Sequence, residues 1–129
     1  MLRKLLLLCA CSAVTTGSAQ SVPPAAFTQE ELRDRARTYI AVVEKKEQGT
    51  FESTLKMSQF YGYIMGYLDF ASGQPSADQL LIQCTKKSPK EITLKAAKAL
   101  LSLKLDRTEQ VRFATTFAVG AACNDSFWK

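Results

Sequence analysis

The 129-residue chain has no histidine. That absence removes the commonest general base and the commonest zinc ligand. No Ser-His or Cys-His nucleophile pair can be assembled from the chain alone. It also has no Cys-x-x-Cys pair, no glycine-rich phosphate loop and no carboxylate cluster at metal-ligand spacing. These absences lean away from an enzyme and imply no cofactor. Asn-Gly turn signals are missing, so nothing announces a β-hairpin. Beyond the N-terminal segment the longest uncharged runs are about twelve residues, as in Met57 to Leu68, too short to cross a membrane. What remains is 47% hydrophobic and 22% charged, the balance of one globular domain.

Met1 to Ala19 reads as a secretory signal. Arg3 and Lys4 form the positive region, Leu5 to Ala10 the apolar region, and Gly17-Ser18-Ala19 the small residues before cleavage. The alternatives are a buried N-terminal helix, or a lipoprotein anchored at Cys11, because Leu8-Cys9-Ala10-Cys11 loosely resembles a lipobox. Loss of Arg3 and Lys4 lowers the net charge from +5 to +3, an excess that does not point to nucleic acid. The mature part keeps Cys84 and Cys123. In an oxidising compartment an even pair is most simply a disulfide; the alternative is two buried thiols.

Helix start signals follow one another along the rest. Residues 20–26 read as a flexible leader and 27–129 as a helical domain. Thr28-Gln29-Glu30-Glu31 is a capping box, with Phe27 and Leu32 placed for a hydrophobic staple. Leu32, Ala36, Tyr39, Ile40 and Val43 share one stripe, and Gly49 is the expected end of that helix. A second helix is expected over 51–71. It is apolar nearly all round and holds six of the twelve aromatics, so it should be central in a bundle or covered by a partner. Gly62 and Gly66 are four apart and form one bare groove, whose usual reason is a closely approaching neighbour helix. A short helix is expected over 76–84. Ser88-Pro89-Lys90-Glu91 caps a longer one with two apolar stripes: Ile92, Ala96, Ala99, Leu100 and Leu103 on one side, Leu94, Leu101 and Leu105 on the other. Asp106-Arg107-Thr108-Glu109 is the expected cap of a last helix ending near Cys123. The expectation is an all-α bundle of four to five helices.

Two features invite a functional reading. Asp69 is the one carboxylate in an apolar setting, a general acid or, better, a hydrogen-bonder to a nearby loop. Lys86, Lys87 and Lys90 cluster beside Cys84 and are either a solvated loop or a surface for an acidic partner.

The run Phe60-Tyr61-Gly62-Tyr63-Ile64-Met65-Gly66-Tyr67-Leu68-Asp69 resembles the Gly-Tyr-Ile-x-Gly-x-x-Asp segment of the Rap/Tai family of type VI secretion immunity proteins. Cys84, Ser88-Pro89, the helix from Ile92 to Leu105, the break at Asp106 and Cys123 follow in the family's order. Many members carry a cysteine just before the first of these segments, where this chain has Phe60-Tyr61. The resemblance implies a periplasmic, homodimeric protein that docks on a secreted peptidoglycan amidase and blocks its cleft. The region Gly73 to Lys90 is the expected partner-facing segment. From another class, a small HdeA-like acid-stress chaperone, also helical with one disulfide, is the alternative.

Overall fold

A computed structural model describes residues 27–104 and 110–129. The expected signal with Cys11, the leader, Leu105 and the Asp106 to Glu109 cap lie outside the described residues. Within them the chain forms five α-helices and no strand: α1 (Gln29–Val43), α2 (Phe51–Ser72), α3 (Gln79–Cys84), α4 (Pro89–Ser102) and α5 (Val111–Cys123). A 3-10 turn over Asp125–Trp128 follows. The all-α expectation is met.

Local chemistry sets most boundaries. Thr28 Oγ1 accepts from the Glu31 amide at 3.2 Å, and Glu31 Oε2 accepts from the Thr28 amide at 2.8 Å. This is the reciprocal capping box expected for α1. Hydrogen bonding to Thr28 also holds the Glu31 carboxyl below its ordinary pKa. Gly49 does not end α1, which stops at Val43. Lys45 turns the chain instead, at a φ of 56°, a left-handed conformation that a side chain seldom adopts. Thr50 and Ser53 form a second capping box at the start of α2. The short helix starts at Gln79 rather than at 76, and Asp78 caps it by accepting from the Leu80 amide at 2.9 Å. At α4 the proline sits in the first turn, but Ser88 makes no side-chain cap bond. Glu91 turns to Lys95 at 2.8 Å instead of back to Ser88. Gln110 precedes α5 without a side-chain cap bond.

The middle of the bundle is α4, which packs against α1, α2 and α5. Ile92, Thr93, Ala96, Ala97, Ala99 and Leu100 are all buried. Leu94 and Leu101 of the second stripe pack on the same core, so both stripes have neighbours within the chain. From α1 come Leu32, Ala36 and Tyr39; from α2, Phe60, Ile64 and Leu68; from α5, Ala114, Ala118, Val119 and Ala122. Thr93 and Thr115 are buried without penalty. Each hydroxyl donates to a carbonyl one turn back, Thr93 to Pro89 at 2.7 Å and Thr115 to Val111 at 2.8 Å.

Side chains then tie the helices together. The Arg33 guanidinium donates to the Leu100 and Leu103 carbonyls at 3.1 Å each, closing the open end of α4. Tyr63 and Tyr67 of α2 reach Thr115 and Thr116 of α5 at 3.1 and 2.6 Å. Cys84 and Cys123 are joined in a disulfide, which fixes the end of α3 to the end of α5.

That bond closes a loop with a sequence separation of 39, so it removes entropy from the unfolded chain worth about 4 kcal/mol. Reduction, or the paired change of Cys84 and Cys123 to Ala, is expected to cost about 2–4 kcal/mol of stability. Urea unfolding followed by circular dichroism, with and without reductant, measures it.

Candidate functional site

The three lysines singled out in the sequence do not form one patch. Lys86 is exposed after α3. Lys87 turns toward the chain terminus, where its Nζ donates to Asp125 Oδ1 at 2.9 Å and to the Cys123 carbonyl at 3.4 Å. It therefore braces the disulfide end against the final turn and is not a free charge for a partner. Lys95 approaches the same carboxylate at 3.7 Å. The hydrogen bond from Lys87, then its charge, holds the Asp125 carboxyl below the ordinary aspartate range. Lys90, in the first turn of α4, faces another way, toward α1 and the flank of α2.

The glycine pair stands in the open. Gly62 and Gly66 are exposed, and a Cβ built on either would meet nothing within 4 Å. The expected close approach is made by no described helix of this chain. The physical reason is which side α2 buries: Ser53, Phe60, Ile64 and Leu68 take the core, and the glycines lie on the opposite side of the same helix. Phe51, 87% exposed, and Leu55 lie on that outer side, and Phe70, 69% exposed, flanks it. Asp69 is exposed too. Among the described residues its carboxylate has no hydrogen-bond or ion-pair partner, so the loop contact expected of it is not made; its backbone carbonyl accepts from the Ser72 hydroxyl and the Gly73 amide at 3.2 Å each, as the end of α2 requires. Phe70 precedes the Gly73–Lys90 stretch, so the apolar outer side of α2 runs directly into that segment.

A further feature carried no sequence signal. A cavity of about 500 Å³ opens between the end of α1, the flank of α2 and the start of α4. Tyr39, Val42, Val43, Met57 and Tyr61 form its apolar walls. Burial pushes the Tyr39 phenol above its ordinary pKa. The cavity joins residues from three elements, and only the left-handed turn at Lys45 brings that lysine to its rim. No periodicity along one helix could have shown this. The aromatic excess of α2 was the nearest trace, through Tyr61.

No protein-family model, curated protein or solved structure matches the chain.

Two measurements follow from this geometry. Gly62→Ala and Gly66→Ala are each expected to stabilise the isolated protein by about 1 kcal/mol, because both sit in an exposed helix interior with room for a methyl group. Chemical unfolding at low protein concentration reads the gain. The Asp125 carboxyl has a lower pKa folded than unfolded. Its contribution is thus present above the ordinary carboxylate range, about pH 4, and is lost as pH falls through the lower folded value. Asp125→Asn is expected to flatten that part of the acid limb when melting temperature is recorded from pH 6 down to pH 2.

Proposed function

We propose that the chain is a periplasmic immunity protein that binds and blocks a secreted peptidoglycan amidase. The observation that carries this reading is the outer side of α2, bare at Gly62 and Gly66 and left uncovered by the chain's own described helices. Phe51 and Leu55 are exposed on that side and Phe70 on its edge, and large apolar side chains left in solvent on one helix support a binding face. The resemblance of the Gly62 to Asp69 segment to the Rap/Tai family supplies the kind of partner. The chain's lack of histidine is in keeping with binding rather than turnover.

In this reading the amidase docks on the Gly73–Lys90 segment and the adjoining Phe70, with Lys86 and Lys90 as the available charges. The disulfide holds the end of the α3 portion to α5. A surface that is already ordered loses less freedom on association. A second copy of the chain belongs to the same reading, set against the bare groove of Gly62 and Gly66.

The test is inhibition of a purified peptidoglycan amidase, sought first among the products of neighbouring genes. The expected outcome is stoichiometric block of peptidoglycan cleavage. Phe70→Ser with Lys86→Glu should weaken the complex at least tenfold while leaving the melting temperature within a few degrees. Size-exclusion chromatography with light scattering should give twice the chain mass. Failure to bind any cell-wall hydrolase, together with suppression of aggregation of unrelated clients at low pH, would replace this reading with the acid-stress chaperone.

A further inference from the structure

The cavity at the end of α1 combines three properties that the docking surface of α2 does not need. Its apolar walls come from two helices, Tyr39, Val42 and Val43 from α1 and Met57 and Tyr61 from α2. Its volume, about 500 Å³, lies in the range of sites that enclose one small molecule. Its rim carries two positive charges from different elements, Lys45 and Lys90.

Those charges are not consumed by neighbouring carboxylates. Glu44, next to Lys45, is taken by Lys46 at 3.0 Å and by Lys98. Glu91, next to Lys90, is taken by Lys95 at 2.8 Å. Among the described residues neither Lys45 nor Lys90 shares an ion pair. Lys90 also lies in the first turn of α4, whose cap residue Ser88 makes no side-chain bond to the exposed amides. An apolar slot with a cationic rim is complementary to a molecule with an aliphatic body and one anionic head. Methionine and valine surfaces accommodate a flexible chain, methionine by changing rotamer. The Tyr39 and Tyr61 side chains border the same space.

We propose that this cavity binds a single-chain fatty carboxylate, its tail between Val42, Val43 and Met57 and its head between Lys45 and Lys90. The site shares Lys90 with the docking segment but lies off the outer side of α2; dodecanoate binding is read without any amidase, so its failure is distinguishable from failure of the immunity reading.

The probe is sodium dodecanoate, titrated by calorimetry into purified oxidised protein below the micelle-forming concentration, with dodecanol as the uncharged control. Saturable binding of one dodecanoate per chain is expected, with dodecanol about tenfold weaker. The double variant Lys45→Gln, Lys90→Gln alters only exposed side chains and should keep the fold, checked by its melting curve. It is expected to lose about tenfold in dodecanoate affinity, the scale of two ion pairs near a surface, and to leave dodecanol unchanged. Val42→Trp, which fills the slot, should abolish binding of both. Absence of saturable dodecanoate binding overturns the proposal. So does equal affinity for dodecanol, or full affinity in the double lysine variant.

Discussion

Alanines at 96, 97 and 99 let α1 and α5 approach α4 from different sides at once, and all three are buried. This thinness of the middle helix is the constraint on which the bundle depends. A larger side chain at any of the three would push a neighbouring helix outward, and extra methylenes in a well-packed core typically cost 1–3 kcal/mol. The ends of α4 are held as firmly as its middle. Arg33 closes its last turn by donating to three carbonyls, and Tyr39 reaches toward the Lys90 carbonyl at its first turn. Because α1 supplies both contacts, α1 and α4 act as one unit. The disulfide and the α2–α5 hydroxyl bonds fasten the remaining helices to it.

This arrangement explains why so much apolar surface stays outside. With α4 already in contact with α1 and α5, α2 needs only one side to complete the core, and its other side is free. Its 22 residues make it about 33 Å long, and the uncovered side has Phe51 and Leu55 toward one end, Phe70 near the other, and Ser58, the two glycines and Asp69 between. Its glycines cost the helix stability that nothing inside the described chain returns. The interior therefore gives no reason for them, and an external reason is what the immunity reading supplies.

Much of the fold was legible because the sequence writes it locally. The Thr28–Glu31 box, the 3.6-residue stripes of α1 and α4, Pro89 in a first turn and the Cys84–Cys123 pair each depend on residues close in sequence or on a count of two. What could not be read depends on pairs far apart. Nothing in the local sequence marks Arg33, because its partners are about 70 residues away. Lys87 looked equivalent to Lys86 until Asp125 arrived beside it. Gly49 was the natural helix stop, because glycine adopts a left-handed turn at no cost; Lys45 adopts it here instead. The groove of Gly62 and Gly66 invited a neighbouring helix, and none of the described helices of the chain fills it. An all-round apolar helix does not announce which of its sides the core will choose.

The last residues of the chain offer a practical handle. Trp128 is the sole indole in the sequence. Its ring nitrogen donates to the Ala121 carbonyl at 2.9 Å, two residues before Cys123, and its ring rests edge-on against Phe127 at 5.0 Å. Ultraviolet emission from the protein therefore originates almost wholly beside the covalent staple. The side chain is already 38% exposed, so loosening of that corner completes its transfer to water and shifts its light further to longer wavelength, giving the molecule a built-in optical gauge of its C-terminal anchoring.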